Sequence, residues 1–164
     1  MNPVVIREYT PADRAAVVAH LVEFQDHERK SEPLYAPGAD IAEPYLDGLE
    51  GACLRGEGRI LVADVHGMIV GYTAFQCQQP ACLTIEREVV VWDLYVTPPW
   101  RGYGIGRTLL GRADAYARER GAERLILTTL ARNAEGRAMY ARCGFREFEV
   151  TLVRDVPDGS GGDR

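Results

Sequence analysis

Cysteine is scarce and unpatterned in this chain. Its four cysteines, Cys53, Cys77, Cys82 and Cys143, include no CxxC pair, and no histidine pair stands near them at metal-ligand spacing. A zinc finger or ribbon is thereby excluded, and the thiols are expected to be reduced, as in a cytoplasm. Long apolar runs are also missing, so no transmembrane helix is expected. The N-terminus lacks the charged-then-apolar pattern of a signal peptide. Positive charge is not in excess: 19 Lys and Arg stand against 24 Asp and Glu, net −5. That argues against nucleic acid as the main partner. It fits a cationic or amine substrate only weakly, because most solvated surfaces are mildly acidic. Two phosphate motifs are absent as well. No Gly-Lys-Ser/Thr triplet closes a P-loop, and Arg107 stands where a dinucleotide fingerprint needs a glycine after Gly104.

What is present suits one globular domain. The chain has 164 residues, 46% hydrophobic and 26% charged. A domain of this size buries about 70% of its unfolded surface. The domain is expected over 1–154, with a Gly/Asp-rich, frayed tail over 155–164. Val4 to Tyr9 reads as a first strand. Thr10 caps a helix with Pro11 in its first turn and Asp13 three residues on, and apolar residues recur to about Glu28. A second helix is expected from Asp40, with Glu43 completing a capping box and Pro44 limiting its start. Strands follow over Arg59–Val65 and Met68–Cys77, joined by a tight turn at His66-Gly67. A long β-run ends at Val96, beginning near Thr84 or Glu88. A helix from Ile105 stops at Gly121. A buried parallel strand over Leu125–Leu130, a helix over Asn133–Arg142 and an alternating strand over Phe145–Arg154 complete the order β-α-α-β-β-β-α-β-α-β. That order predicts a mixed α/β domain around a mostly antiparallel sheet.

The stretch from Val91 to Gly106 is the most specific. A β-run meets Pro98-Pro99, then Arg101-Gly102-Tyr103-Gly104-Ile105-Gly106 opens a helix. Glycines bend the chain tightly and leave N–H groups uncovered at a helix N-terminus, where anions are favoured. A plain strand–helix turn is the competing explanation. The segment resembles the acyl-CoA-binding motif of the GNAT N-acetyltransferase superfamily, Q/R-x-x-G-x-G/A. A second block, Asn133, Ala138, Tyr140 and Cys143-Gly144-Phe145, resembles that family's N-x-x-A-x-x-x-Y…GF pattern, with Gly136 where alanine is more usual. The resemblance runs from about Val4 to Arg154 and is weakest between Glu28 and Gly58.

The resemblance implies a sheet splayed between strands 4 and 5, with pantetheine lying in the gap. It implies acetyl-CoA as co-substrate, an amine acceptor, and transfer by direct attack. Main-chain groups of Arg101 to Gly106 would take the pyrophosphate, and those of Leu94, Tyr95 and Val96 the pantetheine and thioester. Asn133 would contact the cofactor or merely cap its helix. Tyr140 would donate to the departing thiolate or merely pack. An alkyl ammonium of pKa about 10.4 is neutral to roughly one part in a few thousand at pH 7, so a proton acceptor is expected. Many relatives carry a glutamate on strand 4. Here Trp92 and Val90 fill the positions on the face expected for Leu94, with Glu88 further back on that parity. The base stays open among Asp93, Glu88, Glu86 and an ordered water. Glu23, Asp26, His27, Glu28 and Glu32 form either a cation-attracting run or a polar helix face. Tyr35, Tyr45 and Trp92 either wall a pocket or pack. Small-molecule, peptide and protein amines all remain as acceptors, a non-catalytic acyl-CoA-binding module is the rival class, and a homodimer is left open.

Overall fold

The computed structural model describes residues 4–156, which fall into two compact units divided between Arg132 and Asn133. The first unit holds strand β1 (Val5–Glu8), helices α1 (Arg14–Ser31) and α2 (Gly38–Leu54), and strands β2 (Gly58–Val65), β3 (Met68–Gln78) and β4 (Glu88–Val96). It ends with helix α3 (Ile105–Glu119) and strand β5 (Arg124–Leu127). The second unit holds helix α4 (Ala134–Arg142).

Local chemistry sets most boundaries. The Thr10 N–H donates to Asp13 Oδ2 at 2.8 Å, and Pro11–Asp13 form a 3-10 turn leading into α1. Proline at this point sacrifices no helical donor. Pro44 lies inside α2 rather than at its start, because that helix begins earlier, at Gly38. His66 and Gly67 both take positive φ, 52° and 85°, as a two-residue hairpin turn of the favoured hand requires.

The five strands lie in chain order, β1-β2-β3-β4-β5. All neighbours are antiparallel except β4 and β5, which are parallel. The expected mixed, mostly antiparallel sheet is therefore observed. On one face, α1 and α2 bury Val17, Leu21, Ala42 and Leu46 against Ile60, Val62, Tyr72, Ala74 and Tyr95. On the other, α3 packs on β3, β4 and β5, with the Tyr116 ring 5.1 Å from that of Phe75.

One expected element is missing. Residues 145–156 form no strand, although Phe145 to Arg154 alternates as one. Phe148, Val150 and Leu152 are exposed, so the alternation meets no buried face to read it. The expected tail falls largely on residues 157–164, outside the described residues. Among the described residues, no helix is long and apolar enough to cross a membrane.

Candidate active site

β4 carries Glu88, Asp93, Leu94, Tyr95 and Val96 of the predicted site residues, and two irregularities shape it. The first is its pairing with β5, which covers only Glu88–Val91 against Arg124–Leu127. Beyond Val91 the described residues of β5 offer no partner, so Trp92 to Val96 open away from it. This is the splay expected between strands 4 and 5. It leaves main-chain groups of the β4 end without a neighbouring strand on that side.

The second irregularity is a β-bulge. Val91 stands opposite Phe75, and Asp93 stands opposite Ala74, so Trp92 is an extra residue. Phe75 meets α3, whereas Ala74 belongs to the α1–α2 core. Strict alternation from Val91 would have turned Asp93 toward α3. The bulge turns it to the α1–α2 side, where its Oδ2 accepts from the Tyr45 hydroxyl at 2.9 Å. The single face expected for Leu94, Trp92, Val90 and Glu88 therefore ends at Trp92, which is itself half exposed.

The carboxylates of the region differ sharply. Asp93 is 4% exposed. Burial pushes its carboxyl up to about 7, against the downward pull of the Tyr45 hydrogen bond. Tyr45 itself is raised above its usual range by burial and by the neighbouring Asp93. Glu88, at the opposite end of β4, is closed in. Its Oε1 accepts from Gln78 at 2.8 Å, and its Oε2 from Arg124 Nε at 2.7 Å. Glu86 lies outside the strand and is exposed, its N–H donating to Glu123. The structure thus brings Asp93, but not Glu88 or Glu86, to the splayed half of β4.

Tyr95 follows Asp93 on the same face. Its hydroxyl donates to Glu23 Oε2 at 2.7 Å, and burial first, then that carboxylate, raise it to about 12. Glu23 of the α1 acidic run is thereby tied to β4, and the His20 ring lies 5.5 Å from that of Tyr95. Tyr35 and Trp92 are both exposed, and only Tyr45 of the three expected wall residues touches a site carboxylate.

The glycine loop adjoins this end of β4. Gly102 and Gly104 take φ of 81° and 82°, the left-handed region that favours glycine. A methyl group at either would meet no atom within 4 Å, so the space beside the loop is open. Gly104 is the N-cap of α3 without a side-chain cap. The first N–H groups of that helix, at Ile105 and Gly106, have no intrahelical acceptor. Tyr103 between the glycines is exposed. Arg101 turns back: its Nε donates to Val96 O at 2.9 Å and its guanidinium lies 5.8 Å from the Tyr95 ring centre. An open, glycine-lined helix N-terminus fits a pyrophosphate. No group of three or more His, Cys, Asp or Glu among the described residues is placed to hold a metal ion.

Asn133 and Tyr140 belong to the second unit. Asn133 caps α4, its Oδ1 accepting from Gly136 N at 3.0 Å. The Tyr140 ring is edge-on to Phe145 at 6.0 Å, and the Phe145 N–H returns to Tyr140 O at 3.1 Å. The expected turn at Cys143-Gly144-Phe145 is present, with Gly144 at φ 90°.

Sequence reasoning missed the Trp92 bulge, the Tyr45–Asp93 hydrogen bond and the Glu88–Arg124 pair. The last two join residues 48 and 36 positions apart, beyond any local signal. The bulge breaks a run of residues that alternates acceptably without it.

Known proteins resemble this chain in sequence and in fold. The chain is 29% identical over 143 residues to an uncharacterized N-acetyltransferase of Bacillus subtilis, covering 87% of this chain and 89% of that protein. It is 29% identical over 155 residues to the aminoglycoside N(6')-acetyltransferase type 1 of Stenotrophomonas maltophilia, covering 93% and 92%. The fold matches a transcriptional regulator from Bacillus halodurans C-125 with a TM-score of 0.76 at 21% identity, over 94% of this chain and 100% of that one. The Acetyltransferase (GNAT) family model matches residues 21–145. With its splayed β4, its glycine-opened α3 and that match, the chain belongs to the GNAT acetyltransferase family and is an acyltransferase.

Proposed function

We propose that this chain transfers the acetyl group of acetyl-CoA to a primary amine of a small molecule or peptide, by direct attack. The observation that carries the proposal is Asp93, a buried carboxyl with a pKa of about 7, turned by the bulge at the splayed end of β4. A group that titrates near neutral pH suits a general base. When bound, acetyl-CoA supplies an activated thioester carbon. The turn at Gly102 and Gly104 and the first N–H groups of α3 hold its pyrophosphate. Main-chain groups of Leu94 and Val96, which face the splayed side, hold the pantetheine, beside the Arg101 side chain that donates to Val96 O; those of Tyr95 are paired with Tyr72 on β3. Asp93 accepts the amine proton as the C–N bond forms. Tyr140 donates a hydrogen bond to the departing sulfur as the C–S bond breaks, a role that rests on the motif. Glu88, held by Arg124 and Gln78, secures the closed half of the β4–β5 pair rather than moving protons.

A low-molecular-weight acceptor is favoured by the likeness to an aminoglycoside acetyltransferase across nearly the whole chain. The test is thiol release from acetyl-CoA against alkylamines, aminoglycosides, peptides with free N-termini and lysine peptides. Release with amines, and with none of their N-acetylated forms, is expected. Acetyl-CoA binding without release for any of them would overturn the proposal.

A further inference from the structure

Among the described residues, two buried side-chain polar atoms lack a hydrogen-bond partner: His20 Nδ1 and the Tyr72 hydroxyl. Both rings flank Tyr95, at 5.5 and 6.4 Å. Tyr72 is the more demanding case. It is 0% exposed and sits in the middle of β3, where phenylalanine would fill the same volume without an orphaned hydroxyl. A buried hydroxyl left unpaired costs free energy, so its retention needs a reason.

We infer that Tyr72 is a positioning residue for Asp93, its hydroxyl completing the carboxylate's hydrogen bonds when Asp93 ionises. The inference rests on the reading of Asp93 as the proton acceptor. Tyr72 pairs with Tyr95 and Ala74 with Asp93, so Tyr72 and Asp93 are diagonal neighbours on one face. Only the methyl group of Ala74 stands beside them on β3. Asp93, Tyr45 and Tyr95 are the charged or titratable groups that act on the Tyr72 phenol, and all raise its pKa after burial does. Around Asp93, Tyr45 from α2 makes the hydrogen bond, and Tyr72 of β3 and Tyr95 of β4 share its face of the sheet. From α1, Glu23 and His20 meet Tyr95 instead.

The chemistry of a phenol suits the task. An ionised carboxylate accepts at several sites, and Tyr45 fills one. A buried carboxylate needs further donors to hold its charge. Tyr72 donates while Asp93 is ionised, and accepts from the Asp93 O–H once the proton has arrived. One hydroxyl thus serves both states of a base that must cycle.

The test follows the Asp93 side-chain carboxyl by carbon-13 NMR through a pH titration, with no acceptor present. Loss of a donor disfavours the charged form, so Tyr72→Phe should raise the midpoint by about one to two pH units. Tyr45→Phe should raise it too. Tyr116→Phe, whose hydroxyl bonds Glu57 O on the α3 side, should leave it in place. In the wild-type protein the Tyr72 phenol carbon should shift with the same midpoint. The melting temperature of Tyr72→Phe should hold or rise. An unmoved midpoint, a phenol resonance blind to Asp93, or a Tyr72→Phe chain that fails to fold would each overturn the inference. If the midpoint moves but Asp93→Asn keeps full acetylation activity, the base assignment falls and the positioning of Asp93 by Tyr72 stands.

Discussion

At the residue scale, Asp93 carries two opposed properties. Its burial is unfavourable for a charge, yet a base near neutrality needs that environment. Asp93→Asn should keep the contact with Tyr45 and remove the titration. Turnover at neutral pH should fall by at least 100-fold, as expected for loss of a general base. The acid limb of the kcat/KM profile near pH 7 should vanish with it. Initial rates from pH 5 to 9 measure both, and an unchanged limb would assign it to another group. Tyr140→Phe bears on the opposite end of the reaction. A hydrogen bond to a charged group contributes about 1.5–3 kcal/mol. If it forms only as charge develops on sulfur, its loss lowers kcat by roughly 10- to 150-fold and leaves acetyl-CoA affinity in place. A near-wild-type kcat at saturation would make Tyr140 a packing residue, edge-on to Phe145.

At the element scale, α3 and α4 open in different ways, and each opening is testable. Gly104 caps α3 in the left-handed region with no side chain in the way. Gly104→Asp adds strain and a negative charge where N–H groups face outward. Calorimetry should show acetyl-CoA binding weakened by at least tenfold in a folded protein. Undiminished affinity would remove the loop from the cofactor site. α4 opens on Asn133, and a methyl group at Gly136 would lie 2.5 Å from Asn133 Nδ2. Glycine there is not merely a small stand-in for alanine. Gly136→Ala should gain about 1 kcal/mol of helix propensity and lose a comparable capping contribution, so stability should barely change. In an Asn133→Ala background the same substitution should stabilise by about 1 kcal/mol. Denaturant melts of the four combinations decide it; additive effects would show that the cap and the glycine are independent.

At the scale of the whole molecule, proton linkage sets opposite slopes on the two sides of the stability curve. Asp13 is held down to about 2, first by its hydrogen bonds from Arg7, and Asp64 is held below its usual range by the Gly67 N–H and Arg7. Stability from such groups is complete above the unfolded value near 4 and is lost as pH falls through the folded value. Asp93 works the other way. Its folded value of about 7 lies above the unfolded one, so the folded state binds more protons between about pH 4 and 7. Its contribution is complete below pH 4 and is lost as pH rises through 7. Melting temperature should therefore peak on the acid side of neutrality and fall toward pH 8. Asp93→Asn should flatten that fall, with a gain of a few kcal/mol at pH 8, at ~1.36 per pH unit. A parallel decline in wild type and variant would show that Asp93 ionises freely. The amino-acid sequence carries the family, the element order as far as α4 and the glycine loop, because caps, turns, hydrophobic periods and the Arg101–Gly106 motif act over a few neighbouring residues. It also supplied Asp93 as one of four candidate proton acceptors. Only the tertiary structure separated these, since the bulge at Trp92 reverses a face without a local mark. The Tyr45 and Arg124 partners that distinguish Asp93 from Glu88 arrive from distant elements. The strand expected over Phe145–Arg154 failed for the same reason: alternation sets which side chains share a face, but ladder partners and a buried surface decide whether a strand forms.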